Sequence, residues 1–78
     1  MRTDELSKSE RRVLQIFRQF LMSPGKMLCL NAPQVKTYRN ALNGLIEKDL
    51  LAKEKFKGGY SLTRDGFALM KSVANEVS

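Results

Sequence analysis

Apolar positions along this chain form three stripes of helical period, and the second and third are separated by a stretch of shorter period. Val13, Ile16, Phe17, Phe20 and Leu21 share one face at 100° per residue. Ahead of them Ser7-Lys8-Ser9-Glu10 matches a capping box, in which the Glu10 carboxylate returns to the Ser7 backbone N–H. The spacing predicts a first helix from about Lys8 to Met22, with residues 1–6 frayed. Leu14 lies off that face and needs cover from another element, while Arg11, Arg12 and Arg18 take the outer side. Ser23-Pro24-Gly25 closes the helix, because proline cannot continue it and glycine tolerates the left-handed region.

The second stripe is Val35, Tyr38, Leu42, Leu45 and Ile46, with Ala41 at its edge. The opposite arc carries Lys36, Thr37, Asn40, Asn43, Gly44 and Glu47, so a helix over residues 32–48 has one core face and one face of amides and hydroxyls. The period then drops to two. Lys53, Lys55 and Lys57 fall on alternate residues, Gly58-Gly59 follows, and Tyr60-Ser61-Leu62-Thr63 alternates again. Two β-compatible runs joined by Gly-Gly predict a tight hairpin over residues 50–63. Phe56 is expected either beneath this hairpin or at its tip. Beyond it Thr63 suits an N-cap and Asp65 a first helical turn, and Phe67, Met70, Val73, Ala74 and Val77 share a third face.

Residues 24–30 admit two readings. They form either a short helix, with Asn31-Ala32-Pro33 as a turn, or a short strand from Lys26 to Leu30 that pairs with the hairpin, with Asn31 capping one longer helix. The Pro-Gly pair and the shortness of the run favour the strand.

An amphipathic helix with outward amides, followed by a lysine-rich hairpin, suggests a reading helix and its wing. The residues Leu42-Asn43-Gly44-Leu45, then Asp49-Leu50-Leu51, then Tyr60-Ser61-Leu62-Thr63-Arg64-Asp65-Gly66 resemble the winged helix-turn-helix DNA-binding domains of small bacterial regulators of the MarR, PadR and ArsR kind. The resemblance runs from about Ser9 to Met70, with Asp49 where the family usually has glycine. It implies an α+β fold, one winged-helix domain over residues 1–78, in the order helix, short strand or short helix, reading helix, β-hairpin wing, C-terminal helix. The small core and the apolar face from Phe67 to Val77 further predict a homodimer, paired through the terminal helix or the first.

Fourteen Lys and Arg against eight Asp and Glu give the chain a net charge of +6, and residues 34–64 hold seven of the basic and three of the acidic groups. That segment therefore carries +4 of the +6, the concentration a polyanion-binding face requires. The bland alternative is a basic surface that only confers solubility. The single cysteine, Cys29, cannot form an internal disulfide and reads as a small core residue. With no histidine and one cysteine, neither a zinc site nor another cofactor is expected. No apolar run approaches the roughly 20 residues of a membrane span and the first residues lack a signal-peptide core, so a cytoplasmic location is expected. Catalysis is not expected either: no histidine can act as general base, and the carboxylates spread over faces that read as solvated.

Double-stranded DNA is the expected partner. In a reading helix Lys36, Thr37, Asn40 and Asn43 would meet base edges, with Gln34 and Arg39 near phosphates. Lys53, Lys55, Lys57 and Arg64 would hold the backbone or minor groove from the wing. The alternative is a winged-helix adaptor for another protein, such as a phage or plasmid accessory protein. It would expose an apolar patch around Leu51, Phe56 or Phe67 and tolerate loss of the wing lysines.

Overall fold

The computed structural model describes residues 6–76, with side chains through Val73. The elements run α1 (Lys8–Gln19), β1 (Met27–Cys29), α2 (Ala32–Glu47), β2 (Leu51–Lys53), β3 (Gly59–Leu62) and α3 (Arg64–Glu76). Three helices and a three-stranded antiparallel sheet of order β1-β3-β2 make an α+β fold, compatible with a small winged-helix-like domain. Residues 24–30 contain the strand: Met27, Leu28 and Cys29 pair with Ser61, Tyr60 and Gly59. A turn at Pro24-Gly25, with Gly25 at φ 87°, leads into it, and Asn31 then caps a single long helix.

Local chemistry explains the helix starts. Ser7 and Glu10 form the expected capping box, the Ser7 N–H donating to Glu10 Oε1 at 2.8 Å. Asn31 and Gln34 form a second, with Pro33 in the first turn of α2. Thr63 caps α3, its Oγ1 accepting from the Gly66 N–H at 3.0 Å and donating to the Asp49 carbonyl at 2.7 Å. One hydroxyl thus ties the end of α2 to the start of α3.

The helix ends depart from expectation. The first helix stops at Gln19 rather than Met22, and Leu21 turns into the left-handed region at φ 54°. The Leu21 N–H donates to the Arg18 carbonyl and the Met22 N–H to that of Phe17, both at 3.0 Å, which is a Schellman motif. Phe20 and Leu21 consequently leave the apolar face and are exposed. α2 ends the same way. Asp49 lies at φ 61°, its N–H donates to Ile46, and the Leu50 N–H donates to Leu45 at 2.9 Å. Neither motif has the usual glycine.

The core joins Val13, Leu14, Ile16 and Phe17 of α1 to Leu42 and Leu45 of α2, Tyr60 and Leu62 of β3, and Leu69, Met70 and Val73 of α3. Leu14 does find cover. Leu6, expected in a frayed N-terminus, is buried in this core; residues 1–5 lie outside the described residues. Cys29 is the reverse case and is exposed, because alternation along β1 turns Leu28 inward and its neighbours out. No helix is long and apolar enough to cross a membrane, as far as the described residues go.

Candidate nucleic-acid interface

α2 supplies the central face. Ala41, Leu42 and Leu45 are buried and Val35, Tyr38 and Ile46 pack against the core, as the apolar stripe predicts. Lys36, Thr37, Arg39, Asn40 and Asn43 are all exposed on the other side. Gly44 does not belong with them. It faces α1, where an added Cβ would press on the Glu10 carboxylate.

The hairpin differs from the tight two-residue turn expected. β2 pairs with β3 through Leu51↔Leu62, Ala52↔Ser61 and Lys53↔Tyr60, which leaves residues 54–58 as a five-residue loop. Of the two glycines only Gly58 has positive φ, at 78°, while Gly59 begins β3. The Gly59 N–H donates to the Phe56 carbonyl at 2.9 Å, so the reversal is a β-turn with Gly58 at its third position. Lys53 alone of the three lysines therefore lies in a strand. Lys55 and Lys57 are loop residues, and the loop also carries Phe56 into solvent, 68% exposed.

The loop is anchored to the start of α2. The Leu30 N–H donates to the Gly58 carbonyl at 2.8 Å, and a Cβ on Gly58 would collide with the Leu30 carbonyl oxygen. This anchoring brings Lys57 beside α2. Lys57, Lys36 and Arg39 line one groove, whose apolar wall is Leu30, Ala32 and Val35 and whose lining includes no carboxylate. Residues from two elements, 18 and 21 positions apart in sequence, thus converge in one electropositive cleft. Leu30 and the left-handed Gly58 were not among the expected site residues. The Gly-Gly pair is their sequence signal: a type I′ turn would set both glycines left-handed, whereas here only Gly58 is, and it serves as the anchor.

The remaining expected residues distribute around this cleft. Gln34 is taken up locally, its side chain accepting from the Asn31 N–H at 3.1 Å. With Thr37 it lines a second groove between α1 and α2, shared with Arg12, Gln19 and the exposed Phe20. Asn40 and Asn43 continue the exposed face along α2. Lys53 leaves the edge strand on the side of Tyr60, and Lys55 stands on the loop. Arg64 is apart from the rest. It follows Thr63, which holds the C-terminal end of α2, whereas Lys57 stands by the N-terminal end of that helix.

One carboxylate expected on a solvated face proves to be structural. The Glu10 side chain, 7% exposed, accepts from Lys48 Nζ at 2.7 Å and so links the start of α1 to the end of α2. Burial pushes its pKa up, but the hydrogen bonds from Lys48 and Ser7 and the Lys48 charge outweigh that and hold it below the ordinary 4.5. Glu54, likewise, accepts from the buried Ser61 hydroxyl. Among the described residues no group of His, Cys, Asp and Glu is arranged to hold a metal ion. No family model, curated protein or solved structure matches this chain.

Proposed function

We propose that this chain is a winged-helix-like module that binds double-stranded DNA, with α2 toward the major groove and the 54–58 loop as a basic wing, in the role of a small transcriptional regulator. The observation that carries the reading is the cleft formed by Lys36, Arg39 and Lys57, opening beside the exposed amides of Asn40 and Asn43. Cations positioned by separate elements suit a polyanion backbone, and amides on the adjoining helix face suit adenine edges. Pairing of β1 with β3, the central strand of the sheet, supports the winged-helix architecture. One long helix stands where the family has two, so α2 is oriented chiefly by its packing on α1 and β2, with the Leu30–Gly58 bond at its start and Thr63 at its end.

The test is a titration of mixed-sequence duplex DNA at low and moderate salt, wild type beside the triple variant Lys36→Ala, Arg39→Ala, Lys57→Ala. Removing three phosphate contacts should flatten the log–log salt dependence by about three units and weaken binding to all sequences alike. A folded wild type that leaves duplex DNA unbound at low salt would sink the proposal. The competing adaptor reading has one observation in its favour, Phe56 exposed at the loop tip. It predicts that Phe56→Ala abolishes partner binding while the triple variant retains it.

A further inference from the structure

We propose that the groove between the C-terminal end of α1 and α3 docks an acidic amphipathic helix of another protein. This site is separate from the cleft described above and shares no residue with it. Its apolar surface is Leu21, Met22 and Phe67 over a floor at the buried Met70, and Arg18 and Lys71 stand at its sides. The Lys71 ammonium sits 4.4 Å from the Phe67 ring centroid, which places a positive charge directly over the apolar surface. Among the described residues neither cation forms an ion pair, and no carboxylate lines the groove.

The conformation of Leu21 is the second, independent observation. It occupies the left-handed position of a Schellman motif, where glycine or asparagine costs less, and its side chain is 72% exposed. An apolar residue held both strained and solvated contributes nothing to this fold that asparagine would not supply. Contact with an apolar ligand gives it a role.

Charge selects the occupant. A second copy meeting this face across a two-fold axis would set Arg18 and Lys71 against their own equivalents, on a chain of net charge +6. An acidic helix neutralises both cations while its apolar stripe covers Leu21 and Phe67.

The probe is a 16-residue synthetic peptide with Leu and Phe at helical spacing and Glu elsewhere. It is titrated into the full isotope-labelled chain and followed by amide shifts, beside a control with every Glu replaced by Lys. The Glu peptide should shift Arg18 to Ser23 and Phe67 to Lys71 and leave Lys36, Arg39 and Lys57 unmoved. Leu21→Asn keeps the backbone conformation and should weaken binding about tenfold while the fold becomes more stable. Arg18→Gln with Lys71→Gln should weaken it to a similar degree, about tenfold. The proposal fails if the Lys peptide binds as well, or if the shifts map to the α2 cleft. It also fails if Leu21→Asn stabilises the chain without affecting peptide binding, or if the groove amides shift with protein concentration alone, the sign of a second copy.

Discussion

Asp49 and Leu21 adopt left-handed backbone conformations that favour glycine, and each completes the hydrogen bonds of a helix end. At Asp49 a negative charge also lies at the C-terminus of α2, the unfavourable end of the helix dipole. Asp49→Gly should therefore stabilise the chain by about 0.5 to 1 kcal/mol, read as a higher urea midpoint at unchanged slope. A lower midpoint would mean that the Asp49 side chain makes a contact worth more than the backbone strain. Glu10 works in the opposite direction. Its carboxylate serves the cap of α1 and the Lys48 ion pair together, and Glu10→Gln should cost about 1 to 3 kcal/mol at neutral pH. Because the folded-state pKa lies below the ordinary 4.5, this stabilisation is present above 4.5 and is lost as the pH falls below it and through the lower folded-state pKa. The gap between wild type and Glu10→Gln should accordingly close in acid; a gap independent of pH would exclude the ion pair as its source. These residues divide the legible from the illegible. Both capping-box partners of α1 could be read because the S-x-x-E spacing is itself the chemistry. The left-handed Leu21 carried no signal, since its side chain continued the apolar stripe while its backbone had already left the helix.

Among the elements, the apolar face of α2 was legible, because a sixteen-residue helix repeats its period often enough to define it, whereas Gly44 on the other arc gave no sign of its approach to Glu10. β1 was legible only as one of two alternatives. Three residues carry almost no periodicity, and what decides for a strand is its pairing with β3, a contact 30 to 34 positions away in sequence. The 54–58 loop shows the limit most plainly. Alternating lysines imitate a strand, but the register sets Lys53 opposite Tyr60 and leaves Lys55 and Lys57 beyond the ladder. What fixes the loop is the approach of Gly58 to Leu30, where positive φ and lack of space both exclude a side chain. Gly58→Ala should cost about 1 to 3 kcal/mol and, at temperatures where the variant remains folded, also weaken DNA binding by releasing Lys57 from the cleft. Measuring DNA affinity and thermal stability on the same sample separates the effects. A destabilised variant with wild-type affinity would show that Lys57 does not need the Leu30 anchor.

Taken as a whole, the molecule is shorter than the distance between two half-sites of duplex DNA. Its principal extents are 30 × 23 × 23 Å, and α2 accounts for about 24 Å of rise. One copy can therefore cover a single half-site, whereas two half-sites lie about 34–36 Å apart. The described part of α3 buries Leu69, Met70 and Val73 within its own chain, so this stretch of the expected pairing face is already used internally. Residues Ala74 and Val77 of that expected face lie outside the described side chains. The distribution of cations then makes a quantitative prediction. If only the converging cluster of Lys36, Arg39 and Lys57 reaches phosphates, the salt slope should be about −3 per copy. If Lys53, Lys55 and Arg64 also engage, it should approach −5. Arg64, beside the far end of α2, is the residue that separates the two geometries. Arg64→Ala leaving the slope unchanged would confine the interface to the N-terminal half of α2 and the loop. A slope shallower by about one unit would extend it along the whole helix, and the bound duplex would then have to follow the entire α2 face.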